Sequence, residues 1–540
     1  MRAPVCDAQA APSRRCPRAR VPRHEDAGAP LRCTHLDAAG LRSPHSPDPP
    51  TLGQVTATAT TFSSLDPRTG EVVGTYPVHD AAAVEAAVAR AVEGARWWAD
   101  LGFDGRARRL REWKKALVRG LDRLARAISD ETGKPFDDAR LELALAIDHL
   151  DWAARHAEKT LGRRRVWAGI LMANQAATLA YPPIGVVGVI GPWNYPAFTP
   201  MGSIAYALAA GNAVVFKPSE LTPGVGMALA DALAEIVEGR PVLQVVTGFG
   251  ETGAALCRAP GIGMVAFTGS TATAKRVMAA CAETLTPVLV ECGGKDPLLV
   301  DADADLAAAA DAAVWGGMAN AGQTCVGVER VYVHEAVAEA FTAKVVAKAE
   351  ALRPGAFGPM TLPAQVDVVR RHLDDALARG GRAVVGGPAS VRPPYVDPVV
   401  LVDVPEDSVA VTEETFGPLL VVNRVRDTEE AVELANAGGY GLGATVFAKK
   451  RGTKIASKLR CGMVSVNSVI AFAGIPALPF GGTGDSGFGR IHGEDGLRAF
   501  TRPQAVARQR WAPPVAITTF RRSNRAMRAL VGVTRLRHGR

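Results

Sequence analysis

The sequence predicts an α/β protein built from two doubly wound domains. From residue 184 to about residue 300, short apolar runs alternate with helical stretches, which is the pattern of parallel strands joined by helices. Residues 301–467 repeat this alternation and predict a second domain of similar size. A chain of 540 residues is long enough for two or three domains, each with its own core.

In the first α/β region, strands and helices are predicted in regular succession. The strands are Gly185–Ile190, Ala213–Phe216, Val242–Val246, Met264–Phe267 and Pro287–Val290, and the helices are Met201–Ala210, Gly224–Glu238, Thr252–Arg258 and Ala272–Glu283. Ligands bind to such sheets beyond the carboxyl ends of the strands, where this chain places its polar, Gly-rich segments. We therefore expect the functional site there.

Three further segments have recognisable patterns. Residues 61–72 predict two strands around a turn, and an amphipathic pattern predicts a long helical region at about 81–160. Residues 163–183 are predicted to form an extended hairpin outside the α/β body, which could serve as an assembly arm. The Gly/Pro-rich residues 468–489 predict a long functional loop.

The positive charge of the chain lies at its two ends. Residues 1–58 carry a net charge of +3, residues 506–540 carry +9, and the middle carries −4. This distribution argues against a nucleic-acid groove in the folded body. Residues 1–58, rich in Pro, Ala and Arg, are predicted to be a disordered extension, and no apolar run is long enough to span a bilayer.

Residues 516–540 combine apolar and Arg residues, so a helix here would be basic and amphipathic. Such helices rest on anionic membrane surfaces, and peripheral membrane contact is therefore one hypothesis for this tail. A solvated, disordered extension is the alternative.

Eight cysteines occur without a paired spacing, which argues against a disulfide framework or a metal site and favours a reducing, cytoplasmic location. One of them ends the stretch Asn320–Cys325, a small-residue turn after the Ala-rich helical run Leu306–Val314. Small neighbours bring backbone N–H groups close to a thiol, as a nucleophile that forms an oxyanion adduct requires. Taken alone, a cysteine of this kind is more often an inert core residue.

Five other motifs accompany this stretch. They are Pro192-Trp193-Asn194-Tyr195-Pro196, Phe216-Lys217-Pro218-Ser219-Glu220, Phe267-Thr268-Gly269-Ser270, Glu291-Cys292-Gly293-Gly294-Lys295 and Glu413-Glu414-Thr415-Phe416-Gly417-Pro418. In their order and spacing, the six resemble the NAD(P)-dependent aldehyde dehydrogenase superfamily over about residues 60 to 508. The resemblance implies two Rossmann-like domains with a β-hairpin oligomerisation arm, assembled as a homodimer or homotetramer.

The resemblance, together with the composition of the two ends, also implies domain boundaries. A disordered extension (1–58) is followed by a cofactor-binding domain (59–162 and 184–293), an oligomerisation arm (163–183 and 498–508), a catalytic domain (294–497) and a basic tail (509–540).

The implied chemistry is oxidation of an aldehyde to a carboxylic acid. Cys325 attacks the aldehyde carbon, and the Asn194 side-chain amide and the Cys325 backbone N–H stabilise the oxyanion. After hydride transfer to the cofactor, Glu291 activates the water that hydrolyses the thioester. The residues also allow simpler interpretations, in which Asn194 only forms a turn between prolines and Glu291 only pairs with Lys295.

The implied cofactor is NAD, with NADP possible. A carboxylate such as Glu220 accepts hydrogen bonds from ribose hydroxyls and repels a 2′-phosphate, whereas Lys217 and Ser219 could tolerate that phosphate. Gly269 and Ser270 would begin a helix whose N-terminus faces the pyrophosphate. The residues implied to contact the cofactor are Trp193, Lys217, Ser219, Glu220, Gly269, Ser270, Glu414 and Phe416.

The implied substrate pocket is mostly apolar, which favours an aliphatic or aromatic aldehyde over a carboxylated semialdehyde. Arg330 could serve a semialdehyde carboxylate, but an ion pair with Glu329 or another acid is the alternative interpretation. The residues that match the family's substrate funnel are Trp193, Phe198, Thr199, Gly202, Val326 and Phe480.

Two other functions stay open at this point. A CoA-acylating aldehyde dehydrogenase would transfer the acyl group to CoA, but such relatives usually lack the base at the position of Glu291. A non-catalytic, membrane-associated relative would have lost part of the constellation, and here Cys325, Glu291, Asn194, Lys217 and Glu414 are all present.

Overall fold

The computed structural model of the chain describes residues 60–513 and 518–539. The predicted extension at residues 1–58 lies outside the described residues, as do residues 514–517 and 540 of the basic tail.

The described chain begins with a hairpin and four helices. They are β1 (Thr61–Leu65), β2 (Val72–Pro77), α1 (Ala81–Asp100), α2 (Gly102–Arg119), α3 (Leu121–Thr132) and α4 (Phe136–Leu161). The one long helical region predicted at 81–160 is thus divided. Gly102 and Gly133 adopt positive φ values of 65° and 76° at two of the breaks, a conformation that ends a helix and favours glycine.

The next segment forms the predicted hairpin and then alternates strands with helices. The elements are β3 (Arg164–Val166), β4 (Gln175–Ala180), β5 (Val186–Ile190), α5 (Phe198–Ala210), β6 (Ala213–Lys217), α6 (Pro223–Ala234), β7 (Leu243–Val245), α7 (Gly250–Arg258), β8 (Ile262–Thr268), α8 (Thr271–Ala282) and β9 (Val288–Glu291). The predicted strands and helices of this region are therefore present, with ends displaced by a few residues.

The remaining residues form a second α/β region, an added strand and a terminal helix. The elements are β10 (Asp296–Val300), α9 (Leu306–Met318), β11 (Val328–His334), α10 (Glu335–Glu350), α11 (Pro363–Ala378), β12 (Arg382–Val385), β13 (Val391–Arg392), β14 (Tyr395–Val396), β15 (Val399–Val402), α12 (Val409–Thr412), β16 (Leu419–Val425), α13 (Thr428–Ala435), β17 (Tyr440–Gly441), β18 (Gly443–Phe447), α14 (Gly452–Ala456), β19 (Met463–Val466), β20 (Thr483–Gly484), β21 (Gly487–Phe488), α15 (Gly493–Ala499), β22 (Gln504–Gln509) and α16 (Asn524–His538).

Two mainly parallel sheets form the body. The first has the order β21-β9-β8-β5-β6-β7, and its edge strand β21 is antiparallel to β9. The second has the order β12-β15-β16-β11-β10-β18-β19, with β12 antiparallel to β15. In β5, Val187 and Val189 pack into one apolar core, whereas Val186 packs into another. Because alternate residues of a strand point to opposite faces, the sheet is covered on both sides, and the predicted doubly wound α/β class is confirmed.

Four of the motifs lie at, or directly after, one edge of the first sheet. Ile190 of β5 pairs with Lys217 of β6 and with Phe267 of β8, and Thr268 pairs with Glu291 of β9. These residues are the carboxyl ends of parallel neighbours, so the segments that follow them emerge side by side.

A smaller sheet of the order β22-β4-β3 joins the hairpin to the C-terminal strand. Its pairing runs from Gln504 opposite Ala180 to Gln509 opposite Gln175. Within the described ranges, no helix combines the length and the apolarity needed to cross a bilayer.

Candidate active site

The turn that carries Cys325 lies between α9 and β11 and has an unusual backbone. Asn320, Ala321 and Gly322 adopt φ values of 55°, 55° and 70° in succession. A Cβ atom on Gly322 would lie 2.2 Å from the carbonyl group of Gly417, so only glycine fits there. The turn is thereby fixed against the segment that follows Glu414.

Asn194 is hydrogen-bonded to this turn. Its side-chain Nδ2 donates to the Gln323 carbonyl oxygen at 3.0 Å, and the Asn320 Nδ2 donates to the Asn194 carbonyl oxygen at 3.1 Å. Two amides thus hold the Asn194 loop and the Cys325 turn together. Each Nδ2 has two hydrogens, so the Asn194 amide keeps donor capacity for an oxyanion beside Cys325.

A buried pair of charges supports the Asn194 loop from the other side. Lys134 Nζ donates to the Asn194 carbonyl oxygen at 2.8 Å and to Glu142 at 2.6 Å. The Glu142 carboxylate also accepts the backbone N–H groups of Ala197 and Phe198 at the start of α5. A carboxylate at a helix N-terminus is stabilising. No motif marks this pair, because Lys134 and Glu142 lie within the long helical region predicted at about 81–160, far from Asn194 along the chain.

Glu291, at the end of β9, is buried without a counter-ion. Its Oε1 has no hydrogen-bond partner among the described residues, and burial raises its pKa well above 4.5, with Arg490 opposing the shift. A Cβ on Gly481 would lie 2.6 Å from this oxygen, so the Gly481 position must stay small. A carboxyl group of raised pKa that makes no ion pair has the properties of a general acid or base.

The alternative in which Glu291 pairs with Lys295 is wrong. Lys295 Nζ instead contacts Glu329 at 2.5 Å and donates to the Thr415 hydroxyl at 3.0 Å. The Glu329 carboxylate also accepts the backbone N–H groups of Thr415 and Phe416. The buried Lys295–Glu329 pair therefore fixes the segment next to Glu414.

Arg330 does not form the predicted ion pair with Glu329. Its guanidinium donates to the carbonyl oxygens of Lys295, Leu434 and Ala435 at 2.9, 3.3 and 3.1 Å. Arg330 is buried, and its guanidinium binds backbone carbonyl groups where an ion pair with a carboxylate was predicted.

Acidic groups surround the Cys325 thiol. Burial raises the pKa of Cys325, and Glu291, Glu414 and Asp296 raise it further, while the Val326 N–H opposes them. Burial also raises the pKa of Glu414 and of Asp296 to about 8. The thiol is therefore protonated at neutral pH in this state, and its proton must leave when the sulfur attacks.

Glu414 and Phe416 occupy the neighbourhood of the Glu291 motif and of Trp193. The Gly294 N–H donates to Glu414 Oε1 at 3.0 Å. The Phe416 and Trp193 rings meet edge to face, with their centroids 5.5 Å apart. The motif that contains Glu414 and Phe416 thus contacts the motifs of Trp193 and of Glu291, although more than a hundred residues separate it from each.

At the end of β6, Lys217 and Glu220 lie close together. Lys217 Nζ donates to the Pro218 carbonyl oxygen at 3.0 Å and lies 3.8 Å from the Glu220 carboxylate. The Ser219 hydroxyl accepts the Leu221 N–H at 3.2 Å. Burial lowers the pKa of Lys217, while Glu220 opposes this shift. A lysine beside a partly exposed carboxylate suits the hydroxyl groups of a ribose.

Gly269 and Ser270 lead into α8 from the same sheet edge. Ser270 is the N-cap of α8 and its Oγ accepts the Thr273 N–H at 3.3 Å. The Gly269 N–H donates to the Glu291 carbonyl oxygen at 3.1 Å. Helix N-termini attract phosphate groups, so this turn fits the pyrophosphate of a dinucleotide.

Two of the predicted pocket residues, Phe198 and Phe480, pack around an unpredicted histidine. The His492 ring lies 5.8 Å from the Phe198 ring and 5.5 Å from the Phe480 ring, centroid to centroid. A Cβ on Gly202 would lie 2.5 Å from His492 Nε2, so the absence of a side chain there makes room for the imidazole. Val326 is buried directly after Cys325.

Acid is expected to destabilise the protein through His149 and its neighbour. The His149 and His492 rings lie 3.8 Å apart, and burial lowers the pKa of His149 from 6.5 to about 4. Because the folded state favours the neutral ring, its contribution is present above pH 6.5 and is lost as the pH falls toward 4. A shift of this size corresponds to about 3 kcal/mol.

The measurement is the thermal unfolding midpoint from pH 7 to pH 4 for the wild type and for His149→Gln. We expect a flatter pH dependence for the variant, and an unchanged one for His538→Gln, because His538 is exposed. An identical acid dependence in His149→Gln and in the wild type would contradict this account.

Comparisons with known proteins agree with this geometry. Residues 55–506 match the model of the aldehyde dehydrogenase family. The 4,4'-diapolycopene aldehyde oxidase of a Methylomonas species is 39% identical over 454 residues, covering 82% of this chain and 85% of the relative.

Solved structures give the same result. A succinate-semialdehyde dehydrogenase from Burkholderia pseudomallei has a TM-score of 0.79 and 34% identity, covering 83% of this chain and 94% of its own. An NADP dependent enzyme from E. coli has a TM-score of 0.79 and 32% identity, covering 83% and 95%.

The chain belongs to the aldehyde dehydrogenase family. It is an oxidoreductase that uses NAD(P) to oxidise aldehydes, and the predicted family, fold class, enzyme class and cofactor are confirmed.

Proposed function

We propose that this enzyme converts an apolar aldehyde to its carboxylic acid through a thioester on Cys325. The Cys325 thiol, which is partly exposed, gives its proton to solvent water as Sγ bonds to the aldehyde carbon, and the carbonyl π electrons move to oxygen. The Asn194 amide and the Cys325 backbone N–H stabilise this oxyanion. Two hydrogen bonds that join the Asn194 loop to the Cys325 turn are the observation that supports the proposal most directly.

Glu291 completes the reaction. Bound NAD(P) would supply the hydride acceptor, and loss of hydride from the former aldehyde carbon would leave a thioester on Cys325. The Glu291 carboxylate takes a proton from water, whose oxygen attacks the thioester carbon, and the acid product and the thiol are released. Within the described ranges Glu291 Oε1 has no hydrogen-bond partner, which supports this role, because no ion pair there has to break before it accepts a proton.

The residues at the carboxyl ends of the strands of the first sheet suit the binding of a dinucleotide. We assign Lys217, Ser219 and Glu220 to the adenosine ribose, and Gly269 and Ser270 to the pyrophosphate. The remaining contacts belong to the nicotinamide end and are made by Trp193, Glu414 and Phe416. Glu220 favours NAD, although one structural relative is described as NADP dependent.

An apolar aldehyde is the proposed substrate. Phe198, Val326 and Phe480 provide apolar walls, and the one basic candidate, Arg330, is occupied by three carbonyl oxygens. One relative is named for 4,4'-diapolycopene aldehyde, whereas another is named for succinate semialdehyde. A carboxylated substrate would need a cation that these pocket residues do not supply.

The sheets support the implied division of the chain. We propose that the first sheet belongs to the cofactor-binding domain (59–162 and 184–293) and the second to the catalytic domain (294–497). The β22-β4-β3 sheet has two unpaired edge strands, which suit pairing with another subunit in a homodimer or homotetramer.

The tail is proposed to place a cytoplasmic enzyme at the membrane. α16 spans Asn524–His538, has no buried residue and contains several arginines but no acid. Basic amphipathic helices of this kind bind anionic lipid.

The test of the proposed function is NADH or NADPH formation by purified protein, measured by absorbance. We expect decanal and benzaldehyde to exceed succinic semialdehyde by about tenfold in kcat/KM, because Phe198, Val326 and Phe480 offer a substrate carboxylate no charged partner. Turnover should not require CoA. A preference for succinic semialdehyde would contradict the substrate assignment, and an absolute CoA requirement would identify an acylating enzyme instead.

A further inference from the structure

His492 is a buried histidine whose ring makes no hydrogen bond. Its side chain is 1% exposed, and neither Nδ1 nor Nε2 has a hydrogen-bond partner among the described residues. Burial lowers the pKa of His492 well below 6.5, and the neighbouring His149 lowers it further. The ring is therefore neutral, with one donor and one acceptor nitrogen. A buried polar group without a partner destabilises a folded chain, and such groups are rare.

The adjacent histidine differs from His492 because its nitrogens have partners. The two rings lie 3.8 Å apart, centroid to centroid. His149 Nε2 lies 3.0 Å from the Ala473 carbonyl oxygen, which can only accept, so Nε2 carries the hydrogen. The Tyr206 hydroxyl lies 3.4 Å from His149 Nδ1 and donates to the Pro476 carbonyl oxygen at 3.1 Å. The polar groups around His149 are thus engaged with one another and with the backbone, and none of them serves His492.

The unpaired ring lies among residues that match the family's substrate funnel. The Phe198 and Phe480 rings contact it, and its Nε2 occupies the space that a Cβ on Gly202 would need. Phe198 and Gly202 are four residues apart in α5 and therefore lie on the same face of that helix. Phe198 and Cys325 pack against the same apolar cluster, which contains Phe480. The imidazole is therefore part of the wall of the proposed substrate pocket.

We propose that His492 binds a hydroxyl group at the end of the substrate remote from the aldehyde, so that the substrate is an apolar aldehyde with a distal hydroxyl group. A hydroxyl group donates to a bare ring nitrogen and accepts from a protonated one, so it satisfies a neutral imidazole in either tautomer. A carboxylate can only accept, and its negative charge would be buried beside an uncharged ring. The inference rests on the proposed function and specifies its substrate further.

Phe198 provides the route by which a substrate reaches the imidazole. Its side chain is only partly buried, whereas Phe480 on the other side of His492 is 6% exposed. Rotation of the Phe198 ring to another rotamer would open the contact with His492 on the accessible side. The new hydrogen bond involves the tail of the substrate and not the reacting carbon, so it strengthens the substrate complex and the transition state equally. Its effect is therefore expected in KM and not in kcat.

The experiment compares para-(hydroxymethyl)benzaldehyde with para-ethylbenzaldehyde, and the two corresponding meta isomers, by NADH formation. The members of each pair have nearly the same shape and differ in whether the side group ends in a hydroxyl or a methyl group. In at least one pair, the wild type should prefer the hydroxyl compound by about tenfold in kcat/KM, through a lower KM.

Three variants assign this preference to the imidazole. His492→Leu keeps a similar volume without a polar atom, and it should reduce the preference to less than about twofold while the ethyl compound reacts as before. His492→Gln restores a donor and an acceptor and should retain most of the preference. His156→Gln is the matched control, because His156 also lies near this region in α4 but its Nδ1 is 2.8 Å from the Trp152 carbonyl oxygen. Its preference should equal that of the wild type.

The wild-type comparison tests the inference even where a variant does not fold. Equal kcat/KM values for both members of each pair would overturn the inference, as would the same preference in His492→Leu and in the wild type. In both cases, NADH formation that is lost in Cys325→Ala would leave the proposed function intact. An absence of NADH formation with every aldehyde would overturn the proposed function and this inference together.

Discussion

Replacing Cys325 by alanine is expected to lower kcat for aldehyde oxidation by roughly 10⁴-fold or more, because no other group at the site can form the thioester. Cys325 is half-buried and lies in a turn whose geometry is set by Asn320, Ala321 and Gly322. Loss of one sulfur atom should leave that turn intact. Circular dichroism and cofactor binding should therefore match the wild type, while NADH formation is lost.

The matched control for this experiment is Cys292→Ala. Cys292 is a buried thiol directly after Glu291, and burial raises its pKa to about 11. Cys292 is 4% exposed and packs in the apolar core of the first sheet, whereas Cys325 is partly exposed, so replacing Cys292 should change kcat by less than about threefold. Substantial activity in Cys325→Ala, or its loss in Cys292→Ala, would show that the nucleophile has been assigned to the wrong sulfur.

The fold followed from the sequence because its signals are local. Apolar runs of strand length, separated by helical stretches, are sufficient to indicate parallel strands with helical connections. The same local pattern did not locate the breaks within residues 81–160. Two of those breaks depend on glycines that adopt a positive φ value. A glycine within an amphipathic pattern does not by itself indicate that backbone conformation.

The positioning of the site could not be predicted to the same extent. The motifs identify which residues carry the chemistry, but the choice of ion-pair partner depends on distances in the folded chain. Lys295 lies four residues from Glu291 and could reach it on a sequence argument, yet it pairs with Glu329. Lys134 supports Asn194 across sixty positions of sequence, a relation that no spacing rule reveals.

His492 shows the limit most clearly. It follows the Gly-rich loop and carries no motif of its own, and its role as the packing partner of Phe198 and Phe480 depends on the space left by Gly202. Neither ring nitrogen of His492 has a hydrogen-bond partner in the described part of the chain. The cluster can form only because Gly202 has no side chain, and a sequence pattern does not show that His492 fills the space left at that glycine.

Replacing Glu291 by glutamine is expected to give the second-largest loss, roughly 10²–10⁴-fold in steady-state kcat. Glutamine has nearly the same shape, but it cannot accept the proton of the attacking water. Thioester formation on Cys325 does not need that proton transfer, so the first turnover should survive. Stopped-flow absorbance should show a burst of about one NADH per subunit followed by a slow steady state.

The pH dependence gives an independent readout of the same group. Burial raises the pKa of Glu291, so the wild-type rate should increase with pH as this carboxyl ionises, over a range well above 4.5. The limb of the profile that belongs to Glu291 should be absent in Glu291→Gln.

Glu414→Gln is the appropriate comparison for this variant. Glu414 is also a carboxyl group of raised pKa beside Gly293 and Gly294, but it is assigned to the nicotinamide ribose. Its replacement should raise the KM for NAD(P) and should not produce a burst. A burst in Glu414→Gln would transfer the role of hydrolytic base to Glu414. The absence of a burst in Glu291→Gln, together with wild-type steady-state turnover, would do the same. Only loss of the group that activates water leaves the first turnover fast and makes the following turnovers slow.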